Sequence, residues 1–227
     1  ESGLGYGVDY METSHNYSDT TLSAQLDRKE NRGGAYLTYP VGSKTSAKLG
    51  YHYTRIAYDK ENLNVKDNRG TEITLGVDGR LLPKVTGSVA AGYNTRRYDK
   101  SLTGSSNRAA TLSYGVKVGW APTERTQINL GGNRSFTEGT FGTNRFYNAT
   151  SVDLSVSQKV LNNWAATAFG RSEWDAYPEL TTVGTKTAHR ADNVWQAGLG
   201  LDFSVEESFK IGASYMYRAR KSNFGKT

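Results

Sequence analysis

Three histidines, His15, His52 and His189, stand far apart in a chain with no cysteine. No two of them have the spacing of metal ligands. His52 has Lys48 and Thr54 near it, but a general base needs a nucleophile or an orienting acid within hydrogen-bond reach. The chain offers only many interchangeable serines. Asp59, Glu61 and Asp67 are candidate calcium ligands in a loop, although scattered loop acids are more often solvated. Gly3-Leu4-Gly5-Tyr6-Gly7 leads into no helix, so it is no nucleotide-binding loop. These residues predict no enzyme, no catalytic residue, no cofactor and no metal site. A hydrolase built on the same fold is the weaker alternative.

The charged residues are patterned, not clustered. Residues 71–99 show the pattern best. Ile73, Leu75, Val77, Gly79 and Leu81 alternate with Glu72, Thr74, Gly76, Asp78 and Arg80. After Leu82-Pro83-Lys84, Val85, Gly87, Val89, Ala91 and Tyr93 alternate with small or polar residues. A period of two is a pleated strand. One face is apolar and the other charged, so the polar face is no dry core. A hairpin apolar on one side and wet on the other is the unit of a transmembrane β-barrel.

The same alternation runs through residues 3–12, 20–28, 35–41, 46–58, 109–120, 126–136, 150–160, 194–203 and 209–219. Residues 164–175 alternate too loosely for their faces to be assigned. Lys29–Gly34 reads as a turn or loop. Short turns near residues 43, 83, 123, 162 and 206 recur at roughly 40 residues, a fold-level period. Between them, polar stretches at 60–69, 100–108, 137–148 and 176–191 read as longer loops. The expected fold is an all-β, antiparallel transmembrane barrel of about twelve strands, with short turns on one rim and long loops on the other. It forms one domain over residues 1–227. Counting strands puts both chain ends on the loop rim, and the expected reason is that strands have been trimmed from both ends.

Hydrophobic residues make up only 36% of the 227, with 25 glycines and 15 tyrosines. No apolar run approaches the ~20 residues of a membrane helix. A soluble sandwich would use shorter strands, and a soluble ligand-binding barrel would turn its apolar residues inward. Aromatic rings favour the headgroup layers of a bilayer. Trp120, Trp164 and Phe209 fit one such belt near the short turns. Tyr58, Tyr98 and Trp174 fit a second toward the loops, with Tyr177 beside them.

The faces then assign a bore. Lys48, His52, Glu72, Asp78, Arg80, Arg96, Lys117, Asp153, Lys159, Asp202, Lys210 and Arg218 are the expected lining. Basic residues outnumber acidic ones there, in keeping with the net charge of +6. The basic residues are too dispersed for a nucleic-acid patch. Charges in a lumen set selectivity, so anionic solutes are expected to be favoured. The competing reading is that these charges pair across strands and brace a closed lumen.

Tyr53-Thr54-Arg55-Ile56-Ala57-Tyr58-Asp59, the stretch from Leu82-Pro83-Lys84 to Asp99, and Trp120-Ala121-Pro122-Thr123-Glu124-Arg125-Thr126 resemble the putative β-barrel porin type 2 family. The resemblance covers residues 35–220 and implies an outer-membrane barrel of a Gram-negative bacterium. It further implies a porin-like channel for exopolysaccharide or another anionic saccharide, with periplasmic export components and outer-membrane lipids as partners. A non-conducting barrel acting through its long loops, structural or adhesive, is the alternative. The resemblance supplies no catalytic residue. Asn223-Phe224-Gly225-Lys226-Thr227 departs from the closing aromatic strand expected of such barrels.

Overall fold

The computed structural model describes residues 3–59, 66–100, 106–139, 144–206 and 209–225. The period-two segments become eleven strands: β1 (Gly5–His15), β2 (Arg28–Gly42), β3 (Thr45–Tyr58), β4 (Asn68–Leu82), β5 (Val85–Tyr98), β6 (Arg108–Thr123), β7 (Thr126–Glu138), β8 (Phe146–Lys159), β9 (Trp164–Val183), β10 (Lys186–Glu206) and β11 (Phe209–Ser222). They form one antiparallel sheet in sequence order. Each strand pairs with its chain neighbours, and β1 does not pair with β11. The sheet is therefore not closed, and β1 and β11 are its edges.

Short turns join β2 to β3, β4 to β5, β6 to β7 and β8 to β9. Where β2, β4 and β6 enter their turns the ladder slips, at Pro40/Gly42, Arg80/Leu82 and Trp120/Thr123. A bulge there sharpens the twist and ends the pairing. Each turn is also tied to the next hairpin through a backbone carbonyl. Lys44 O accepts from Arg80 N, Lys84 O from Ala121 N, Arg125 O from Lys159 N and Asn163 O from Ser204 N, at 2.8–2.9 Å.

Four expectations need correction. Residues 20–28 are not a strand; Thr20–Leu26 form the helix α1. The Asp19 carboxylate accepts from the backbone N–H groups of Thr21 and Leu22, both at 2.9 Å, capping the helix start. That cap outweighs the alternation of Leu22, Ala24 and Leu26. Lys29–Gly34 is no turn but part of β2, paired on both sides. Residues 176–191 are mostly strand as well. β9 and β10 run on to a two-residue turn whose first residue, Gly184, has a φ of 60°. Glycine in that position suits the twist of a hairpin. Merging residues 28–42 into one strand removes one crossing, so β1 begins at the short-turn rim and only β11 ends at the loop rim.

The two faces are chemically distinct. Leu75, Leu112, Leu199 and Tyr215 are each over 60% exposed on one face. The polar face curls inward. Asn68 of β4 reaches the Glu138 carboxylate of β7 at 3.3 Å, although β5 and β6 lie between them in the sheet.

Candidate functional site

Cross-strand register places all twelve expected lining residues on the polar face. One row runs Asp78, Ser88, Lys117, Gly131, Asp153, Arg171, Gln196, Arg218 across eight strands, β4 to β11. Charges of both signs thus follow one another around the wall, spaced by small or neutral residues. Two cavities lie along the row. One of 510 Å³ is lined by Asp78, Lys117 and Asp153, and one of 520 Å³ by Lys117, Asp153, Arg171 and Gln196. Arg171 was missed because both faces of β9 carry small residues there.

Toward β1 the charges are paired. His52 Nε2 lies 3.2 Å from Asp9, and Arg32 lies 3.1 Å from Glu72. Asn94 donates to Glu72 at 2.9 Å. The Lys48 ammonium rests over the Tyr36 ring at 3.9 Å. Toward the other edge Lys210 lies 3.2 Å from Asp202. Inward glycines make several of these reaches possible. A Cβ at Gly34 would stand 2.2 Å from the His52 ring, and one at Gly212 would stand 2.4 Å from Asp202. Among the described residues, Lys48, Arg80, Lys117, Lys159 and Arg218 have no carboxylate within ion-pair distance on this face. Of the expected acids, only Asp78 and Asp153 lack a cation there.

At the loop rim the polar face is filled. β7 parts from β6 beyond Arg134, and the end of its hairpin with β8 folds over the bore. Phe136 and Phe146 stack at 4.5 Å, and Phe146 stacks on Tyr98 at 6.3 Å. Arg96 covers the Phe136 ring and lies 4.0 Å from Glu138. Phe136, which alternation with Ile128 and Leu130 would put on the apolar face, is thus turned inward by this fold-over. Lys66 donates to Gly139 O at 2.9 Å, and burial holds its ammonium below the ordinary lysine range. Arg145 clasps Glu179, donates to Ser106 O and covers Tyr98 at 4.3 Å. A second cluster joins Asp192 to Arg190 at 2.9 Å and to Arg220 at 2.5 Å. Arg220 also donates to the Tyr177 hydroxyl.

Those contacts correct the upper aromatic belt. Tyr58, Tyr98 and Tyr177 lie on the polar face and are buried, with 4%, 1% and 4% exposure. Alternation within the strand was the available signal, since Tyr58 lies an odd five residues beyond the outward Tyr53. Trp120, Trp164, Trp174 and Phe209 are exposed, as an interface belt requires. The structure does not bring the three histidines together. His15 lies beside Glu30 at 3.2 Å, His52 faces Asp9, and His189 is exposed on the β9–β10 hairpin. Among the described residues no three His, Asp or Glu side chains are grouped to hold a metal ion. Of the calcium candidates, Glu61 lies outside the described residues. The Asp67 carboxylate accepts from Tyr58 N at 2.9 Å.

Solved structures share this fold. The FrpB iron transporter from Neisseria meningitidis (F3-3 variant) matches with a TM-score of 0.60 at 12% identity, over 95% of this chain and 40% of that one. The copper transporter OprC matches with a TM-score of 0.53 at 11% identity, over 86% and 39%. The siderophore receptor PiuA from Acinetobacter baumannii gives 0.52 at 12% identity, over 86% and 38%. The chain therefore spans about two fifths of the length of these proteins. Comparison with curated protein sequences finds no match. The alternation, the polar wall and these neighbours describe a porin-like barrel of the outer membrane. With a family model matching residues 8–227, the chain belongs to the family described as Putative beta-barrel porin 2.

Proposed function

We infer that the protein is an outer-membrane channel whose charged wall passes anionic solutes, acidic saccharides and exopolysaccharide among them. One observation carries this reading. Among the described residues, the polar face holds five cations without a carboxylate within ion-pair distance, Lys48, Arg80, Lys117, Lys159 and Arg218, against two such acids, Asp78 and Asp153. An unpaired surplus of one sign attracts counter-ions into a narrow low-dielectric space. Solutes pass by size and charge, with no bond made or broken. Polysaccharide and periplasmic export components are the partners this reading proposes.

Salt-gradient reversal potentials of the protein reconstituted in planar bilayers test it. Anion preference is expected, weakened or reversed by Lys117→Glu with Arg218→Glu. Cation preference in the unmodified protein would sink the reading. Liposome influx of an acidic oligosaccharide, compared with a neutral one of equal size, then tests the substrate class.

A second reading has its own support. The β7–β8 end fills the loop rim through Phe136, Glu138 and Phe146. A bore stoppered there suits a closed barrel that acts through its loops. Absence of any conductance step, with the protein demonstrably inserted, would favour it.

A further inference from the structure

The apolar face carries one feature that neither reading uses. Arg55 of β3 pairs in register with Arg69 of β4, Arg69 with Arg97 of β5, and Arg97 with Arg108 of β6. Four arginines thus stand side by side on four successive strands, all exposed. Their register places them on the same face as Tyr53, Ile73, Tyr93 and Leu112. None has a carboxylate within ion-pair distance among the described residues. Like charges directly opposite one another on a sheet are unfavourable. A row of four without an acid therefore calls for an anion from outside the chain.

Position in each strand says which anion. Going from the short turn, the outward residues of β3 run Ala47, Leu49, Tyr51, Tyr53 and then Arg55. Those of β5 run Val85, Gly87, Val89, Ala91, Tyr93, Thr95 and then Arg97. In all four strands the arginine is the first charged outward residue past the apolar series. That is the depth at which an apolar wall gives way to lipid headgroups. The guanidinium fork matches phosphate oxygens two at a time. Neighbouring strands are ~4.8 Å apart, so the row extends ~14 Å, more than one phosphate fills. Below it a cavity of 550 Å³ is lined by Arg69, Arg97, Arg108, Tyr53 and Tyr93. Thr71 and Thr95, also in its lining, share a hydrogen bond at 2.8 Å.

We propose that Arg55, Arg69, Arg97 and Arg108 form a docking site for the headgroup of a lipid bearing more than one phosphate, with its acyl chains against the apolar wall below. The site rests on this face meeting lipid and is independent of conduction.

The test is native mass spectrometry of the protein folded in micelles doped with a diphosphorylated glycolipid. The wild type is expected to retain the lipid and to lose it when the same lipid is dephosphorylated. Replacing all four arginines by glutamine is expected to weaken retention at least tenfold. Arg69→Gln with Arg97→Gln, for use if the fourfold variant does not fold, is expected to weaken it at least threefold. Arg80→Gln with Lys159→Gln removes two cations from the polar face and is expected to leave lipid retention unchanged, whatever it does to ion selectivity. Retention unaffected by either outward variant overturns the proposal. So does an equal loss in the polar-face control, which would make net charge the cause. Full competition by millimolar inorganic phosphate would make this a free-anion site and overturn the lipid assignment.

Discussion

Single side chains at the loop rim carry the largest individual stakes. The Arg145 side chain is 2% exposed and its partner Glu179 9%. Removing one member of such a pair leaves a buried charge uncompensated, at a cost of about 3–5 kcal/mol. Arg145→Met should therefore lower the unfolding free energy of the barrel folded in micelles, read from urea titration, by that amount. Adding Glu179→Leu should recover most of the loss. A cost below about 1 kcal/mol for the single change would mean that water reaches the pair. Lys66 gives a pH signature. Desolvation lowers its folded value from 10.5. Between the lowered value and 10.5 the unfolded chain keeps a proton that the folded chain has released, so stability rises with pH across that window. The wild type should gain stability relative to Lys66→Met as pH climbs toward 10.5, measured as the difference in urea midpoints. Little of this was legible in the sequence. Arg145, Glu179 and Lys66 fall in or beside polar stretches whose contacts reach far along the chain. The charged wall was legible because alternation alone assigns Lys48, Glu72 and Asp78 to one face.

At the level of elements, alternation located all eleven strands and assigned faces in ten of them, and the turn chemistry marked the short rim. It failed where a second signal competed. Asp19 turned an alternating segment into a helix by capping it. Lys29–Gly34 carries charges and glycines that imitate a turn, yet its backbone pairs with both β1 and β3. In β9 the small outward residues Ala166, Ala168 and Gly170 hid the faces, because the inward Phe169 lies over Gly198. A Cβ at Gly198 would stand 2.3 Å from that ring. Glycine thus serves as a seat for a neighbour's side chain, and its replaceability depends on what occupies the seat. At Gly139 a Cβ would meet the Asn144 carbonyl oxygen at 2.3 Å, whereas at Gly115 nothing lies within 4 Å. Backbone cannot swing aside as a side chain can. Gly139→Ala should cost about 1–3 kcal/mol through overpacking and loosen the β7–β8 end. Gly115→Ala should be neutral or slightly stabilising. Paired urea titrations of the two variants check this, and equal effects would remove the close approach as the cause.

For the whole molecule, the deciding question is which face meets lipid. Leu75 and Thr74 are adjacent near the middle of β4 and point to opposite sides. Leu75 pairs with Leu49 and Ala91 on the apolar face and is 63% exposed. An arginine on the lipid face near the bilayer midplane costs about 2–4 kcal/mol, because its charge must be drawn toward water or pull water inward. Thr74 lies between Gly50 and Gly92 on the polar face. Those two glycines leave room for a longer side chain, and Glu72 lies two residues away on the same strand and face. Arginine at position 74 should therefore cost little. The same substitution one residue apart holds strand, depth and charge nearly constant, so the difference isolates the environment of each face. Folding free energies of Leu75→Arg and Thr74→Arg in phospholipid vesicles should differ by at least about 2 kcal/mol, with Leu75→Arg the weaker. In reconstituted channels, Thr74→Arg should also move the reversal potential further toward anions, and Leu75→Arg should leave it unchanged. A reversed order of stabilities would place the charged wall against lipid, and both the channel reading and the arginine site would fall with it.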